Sequence, residues 1–160
     1  MTRWRTVVGV ALGMLIGAMA MTPAVADASP DGIDADPQIV EMMEAVPGGV
    51  LVDAYHAVWP ALDMEMTVPS GSARTARAAV GPCADGRVCV FNGYSLNGSS
   101  LSWGVCGGQT IPSNFVAKSL AHARTSGSTQ ARNGTTPVAT AYAGGSTNIY
   151  GPVTNIRCSL

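Results

Sequence analysis

The chain has 160 residues, with nine Lys and Arg against ten Asp and Glu, and its net charge of −1 hides a division. All ten carboxylates lie at or before Asp85, and from Arg87 onward there are five cations and no acid. That distribution excludes from the second half a paired-carboxylate glycosidase, a carboxylate-rich calcium site and a serine hydrolase with an acid-oriented base. Five dispersed cations without interleaved aromatics likewise exclude a nucleic-acid face.

In chain order, MTRWR is a positive n-region, TVVGVALGMLIGAMAM an apolar run of 16 residues, and TPAVADA a set of small cleavage positions. Together they predict a secretory signal peptide over residues 1–28, cut after Ala26 or Ala28. The apolar run is too short for a retained span of about 20 residues, so the mature protein is expected to be extracellular and free of the membrane.

Residues 29–69 form an acidic segment. In DPQIVEMMEAVPGG, Asp36 is placed to cap a helix whose first position is Pro37, whose apolar positions are Ile39, Val40, Met43 and Val46, and which stops at Pro-Gly-Gly. GVLVDAYHAVW and LDMEMTV then read as extended, and in the second Leu62, Met64, Met66 and Val68 alternate with Asp63, Glu65 and Thr67. The expectation is a small α+β piece, a helix plus a hairpin. Residues 70–82, rich in Ser, Ala, Gly and Pro, read as a linker, and Arg74 and Arg77 make it a candidate processing site. Between Asp27 and Asp85 ten acids face only those two arginines, a net of −8, so the segment is expected to dock on the basic remainder as a pro-segment or cover.

Residues 83–160 read as a second, all-β unit. Strands are predicted at Val88–Tyr94, Leu101–Val105, Pro137–Tyr142 and Thr147–Val153, separated by Asn92-Gly93, Asn97-Gly98, Asn133-Gly134 and Gly144-Gly145 turns. A domain of about this size gains little from core burial alone, so its cysteines matter. Cys83, Cys89, Cys106 and Cys158 form an even set without a C-x-x-C pair, which favours two disulfides over zinc in an exported chain, with three connectivities open.

Candidate chemistry is otherwise sparse. His122 has Ser119 and Ser126 nearby in sequence but no acid to orient it, His56 sits beside Tyr55 and Trp59 as a packing residue, and Met64 and Met66 read as core. AYAGGSTNIYG lacks the lysine of a phosphate loop. No catalytic residue, metal site or cofactor is expected.

CADGRVCVFNGYSLNGSSLSW, Cys83 to Trp103, resembles the opening of the Streptomyces metalloproteinase inhibitor family, through Cys83, Gly86, Cys89, Phe91, Tyr94 and Gly98. AKSLAHARTSGS, Ala117 to Ser128, is similar to a later strand of that family, and Pro37 to Val68 to a front segment of its relatives. The resemblance implies a βγ-crystallin-like Greek-key domain stapled by disulfides, a non-enzymatic secreted peptidase inhibitor, and a secreted metalloprotease as partner. It also implies pairing of Cys83 with Cys106 and, to tie the C-terminus back, of Cys89 with Cys158. The family's second disulfide closes a short reactive loop, whereas Cys158 has no cysteine near it in sequence, so that loop does not carry over. NFVAKSLA and TNIRCS lack the carboxylates of the calcium-binding crystallin relatives.

An inhibitory loop must be exposed, tethered and carry an apolar residue. Two segments fit: Thr154 to Cys158 around Asn155, Ile156 and Arg157, held by Cys158, and Tyr94 to Ser99 around Leu96. The first is preferred for its disulfide anchor. The alternative is a non-inhibitory, crystallin-like structural or surface-interaction module.

Overall fold

The computed structural model describes residues 34–70 and 78–160. The signal peptide expected over 1–28, and the linker's Arg74 and Arg77, lie outside the described residues.

Helix α1, Pro37–Ala45, begins as its cap chemistry dictates: the Asp36 carboxylate accepts the Gln38 N–H at 2.9 Å, and Pro37 fills a first-turn position that needs no donor. It buries Ile39 and Met42, whereas Val40 is exposed, so the apolar stripe is rotated from the one expected. The strands follow as β1 (Val50–Asp53), β2 (His56–Trp59), β3 (Met64–Thr67), β4 (Ala78–Val80), β5 (Cys83–Ala84), β6 (Val88–Phe91) and β7 (Ser100–Trp103). The remainder are β8 (Gly108–Thr110), β9 (Ser119–His122), β10 (Ser128–Asn133), β11 (Thr136–Tyr142), β12 (Gly145–Asn148) and β13 (Asn155–Ser159). The predicted strand Val88–Tyr94 ends at Phe91, and Leu101–Val105 ends at Trp103, because the chain turns sharply after each.

Two antiparallel sheets result. The first has the order β1-β2-β3-β7-β6-β9-β12 and the second β11-β10-β13-β8, with β4 and β5 forming a separate pair. Within β6 to β9 the first two strands form a hairpin, the third crosses to the other sheet, and the fourth returns beside the first. Strands β10 to β13 repeat that path in the opposite direction, so β12 ends beside β9 and β8 beside β13. Each quartet therefore lends one strand to the other's sheet. The first sheet is lengthened by the acidic segment, whose β3 pairs with β7 in the register Met64↔Trp103, Glu65↔Ser102 and Met66↔Leu101.

That register sorts side chains by face. The row Ala57, Met66, Leu101, Val90 and Leu120 faces the core, as do Trp59, Met64, Trp103 and Val88, and all are essentially buried. The period-two pattern of LDMEMTV is thus read correctly from Met64 onward, while Leu62 is about half exposed in a 3-10 turn, Pro60–Leu62. Trp59 also donates its indole N–H to the Val46 carbonyl at 2.8 Å, which fixes the end of α1 against the hairpin.

The disulfides are Cys83–Cys89 and Cys106–Cys158, which corrects the pairing expected from the resemblance. The reason is facial. Cys89 sits with Phe91 and Ala121 on the outer side of the first sheet, where Cys83 of β5 covers it with Cα atoms 5.8 Å apart. Cys158 belongs to the core between the sheets, and its backbone N–H donates to Gly107 O at 2.8 Å, which brings Cys106 within 4.9 Å between Cα atoms. A whole sheet separates Cys89 from Cys158.

Candidate functional site

The structure does not bring Asn155, Ile156 and Arg157 out into a loop. They lie in β13, which is paired on one side with β10 and on the other with β8, and Ile156 is 1% exposed in the core. A strand hydrogen-bonded along both edges cannot enter another protein's cleft, so this candidate is withdrawn. The sequence favoured it because alternation and a nearby cysteine look the same in a buried strand and in a tethered loop.

Leu96 lies on the surface but in the wrong conformation for a substrate-like strand. Ser95 and Leu96 both have positive φ, 56° and 61°. Such left-handed residues are costly outside glycine and persist only where the surroundings hold them. Here the Ser95 N–H donates to Asn148 Oδ1 at 2.8 Å and the Leu96 N–H to Ser119 Oγ at 3.0 Å. The Leu96 side chain turns inward against Val80, Phe91 and the Cys83–Cys89 bridge, while Tyr94 stacks on Tyr150 with centroids 5.6 Å apart. The turn is rigid, but its apolar residue is spent on packing.

The other end of the Cys158 disulfide supplies what both candidates lack. Between β7 and β8 the chain runs Gly104-Val105-Cys106-Gly107 and enters β8 at Gly108, and Val105 is 51% exposed. The Asp63 carboxylate accepts the N–H groups of both Gly104 and Val105 through one oxygen, each at 2.6 Å. On the opposite side the Arg124 guanidinium donates to the Gly104 carbonyl. Cys106 is bonded to Cys158. The peptide unit before Val105 is therefore fastened at its N–H and its C=O, and the residue after Val105 is fastened covalently.

Local sequence explains the fit. Asp63 adopts left-handed geometry, φ 48° and ψ 34°, at the end of the 3-10 turn, which swings its carboxylate over the amides beside Trp103. At Gly104 a Cβ atom would stand 3.0 Å from Asp63 Oδ2 and 3.5 Å from Arg87 Nη1, so a side chain there would push the carboxylate away. A shallow groove of about 320 Å³ lined by Val46, Leu62, Met64, Trp103, Gly108 and Pro112 adjoins the loop. Val105 is hidden in the sequence because Leu101, Trp103 and Val105 share a period of two and read as one strand face. The available signal was a lone valine between glycine and a cysteine.

The histidines are placed structurally. His122 is fully buried, with Nε2 2.8 Å from the Ser126 carbonyl and Nδ1 2.7 Å from Thr129 Oγ1. The carbonyl accepts only, so Nε2 carries a proton, and the Nδ1 contact with the Thr129 hydroxyl joins β9 to β10 across the sheets. His56 lies 3.7 Å from Glu65, which also meets Arg87 at 3.1 Å. Among the described residues no group of three or more His, Cys, Asp and Glu is gathered to hold a metal, and no helix is long and apolar enough to cross a membrane. Compared with protein-family models, curated proteins and solved structures, the chain matches none.

Proposed function

We propose that the protein is a secreted peptidase-inhibitor-like protein that presents Gly104–Gly108 to a secreted metalloprotease, on a βγ-crystallin-like body of two Greek keys. The exchange of β8 and β12 between the sheets supports the Greek-key reading, because each quartet gives a b-a-d order with its c strand in the partner sheet. The paired cysteines fit an oxidising destination. The observation that carries the function is the fastening of the Val105 peptide unit by Asp63, Arg124 and the Cys106–Cys158 bridge.

The physical requirement on such an inhibitor is that its loop be ordered before binding, so that association does not have to supply the ordering entropy. Val105 offers an apolar side chain to a protease that selects one just after the bond it cuts, which places Gly104–Val105 in the cleft. Arg124 already donates to the Gly104 carbonyl and holds that peptide unit in place before any protease binds. Were water added across that bond, the new Gly104 carboxylate would remain beside Arg124. The new Val105 amine would remain beside Asp63 and one residue from the disulfide. The ends stay in register, and resealing competes with release.

Titration of a thermolysin-type metalloprotease with the mature protein tests this. Activity is expected to fall linearly to near zero at about one equivalent, with the protein recovered largely intact. Undiminished activity at micromolar protein, or rapid degradation of the protein, would overturn the inhibitory reading and leave a crystallin-like structural or interaction module.

A further inference from the structure

On the reading of Gly104–Gly108 as the inhibitory loop, we infer that the acidic segment is a working part of the inhibitor and that Asp63 is its positioning residue. From Asp34 to Glu65 the segment carries seven carboxylates and no Lys or Arg, yet only two of them bear on the strand and loop that follow β6, Asp63 directly and Glu65 through Arg87. Glu65 meets Arg87 at 3.1 Å, and Arg87 in turn donates to Ser102 Oγ at 3.0 Å and to the Ser102 carbonyl at 3.2 Å, on the strand that leads into the loop. Asp63 takes the next position along and grips the loop itself.

The backbone register shows why these two acids are in place. With Met64 opposite Trp103, the residue before Met64 lies opposite Gly104, where the sheet ends and the loop begins. A regular strand would send the Asp63 side chain to one face. Its left-handed conformation instead turns the carboxylate back over the two amides, which are otherwise without a strand partner. A non-glycine residue in this conformation carries a cost of about 1–3 kcal/mol that the surrounding contacts must offset. Charge-assisted bonds to two N–H groups are contacts of that kind. A removable pro-segment would have no need to hold the loop it leaves behind; this one supplies half of the loop's clamp, and the body supplies the other half as Arg124.

Asp63→Gly in the full mature chain removes the carboxylate while keeping a residue that tolerates positive φ. Glu44→Gln makes the same change of charge on an exposed helix position of the same segment, whose side chain makes no hydrogen bond or ion pair with the loop. Amide hydrogen exchange and protease titration are read on all three proteins. Asp63→Gly is expected to speed exchange at Gly104 and Val105 at least tenfold, to weaken inhibition at least tenfold, and to be cut between those residues, with Glu44→Gln matching the wild type. Unchanged exchange at both amides in Asp63→Gly overturns the clamp, whatever the inhibition does. Loss of inhibition by Glu44→Gln equal to that of Asp63→Gly overturns the part given to Asp63 in inhibition, because the effect would then be one of net charge. If the wild type does not inhibit, the inhibitory reading falls, and the exchange comparison still decides whether Asp63 holds the loop.

Discussion

Val105→Asp is expected to abolish inhibition of a thermolysin-type protease, by a hundredfold or more, while leaving the fold intact. Burying a valine side chain in an apolar subsite contributes on the order of 1.5–3 kcal/mol, and a carboxylate in the same place adds an uncompensated desolvation cost. A sum of about 3 kcal/mol or more corresponds to at least a hundredfold in binding. Stability should change by no more than about 0.5 kcal/mol, because Val105 is 51% exposed and outside the core. Leu96→Asp is the informative comparison. It disturbs packing around Cys83–Cys89 and lowers stability, but leaves inhibition within a few-fold of wild type, because Leu96 faces inward. Thermal melts should fall for Leu96→Asp alone, and inhibition should be lost in Val105→Asp alone. Equal losses of inhibition would mean that Val105 has no special place.

Replacing Cys106 and Cys158 together by serine is expected to turn the proposed inhibitor into a substrate. The bridge closes a separation of 52 residues, for which the chain-entropy model gives roughly 4 kcal/mol of stabilisation. Cys83–Cys89 closes only 6 residues and should contribute about 2 kcal/mol by the same relation. Removing the long bridge also frees the residue after Val105, so a cut at Gly104–Val105 would let the ends separate. Denaturation under non-reducing conditions measures the first effect, and mass spectrometry of the protease digest the second. The double variant should show rapid scission at Gly104–Val105, whereas Cys83→Ser with Cys89→Ser should remain an uncleaved inhibitor of lower stability.

The residues differ in how much of this they reveal. Asp36-Pro37 and the alternation of Met64, Met66 and Val68 announce their helix and strand because local chemistry decides them: a cap, a fixed φ, a strand with one buried face. Strands β8 and β10, GQT and STQARN, carry no apolar signal, and they are ordered by pairing and by small buried residues such as Thr129 and Ala131. The charge division suggests two units, yet β3 and β7 lie in one sheet, with Glu65–Arg87 and Asp63–Gly104 among the polar contacts of the seam. Opposite charge here marks a contact inside a sheet. Disulfide pairing was illegible because it depends on which face of a sheet each cysteine occupies. For the site, a tether at Cys158 was a sound expectation, but which side of the bridge is exposed depends on β8 being an edge strand and β13 an inner one.

The most direct test of the proposed inhibitory loop is its protection in the complex. Hydrogen exchange measured on the protein alone and bound to a thermolysin-type protease should show the largest slowing at residues 104–108, with smaller changes at Leu62 and along the adjoining groove. Protection centred on Tyr94–Leu96 and Tyr150, with residues 104–108 unchanged, would contradict the assignment.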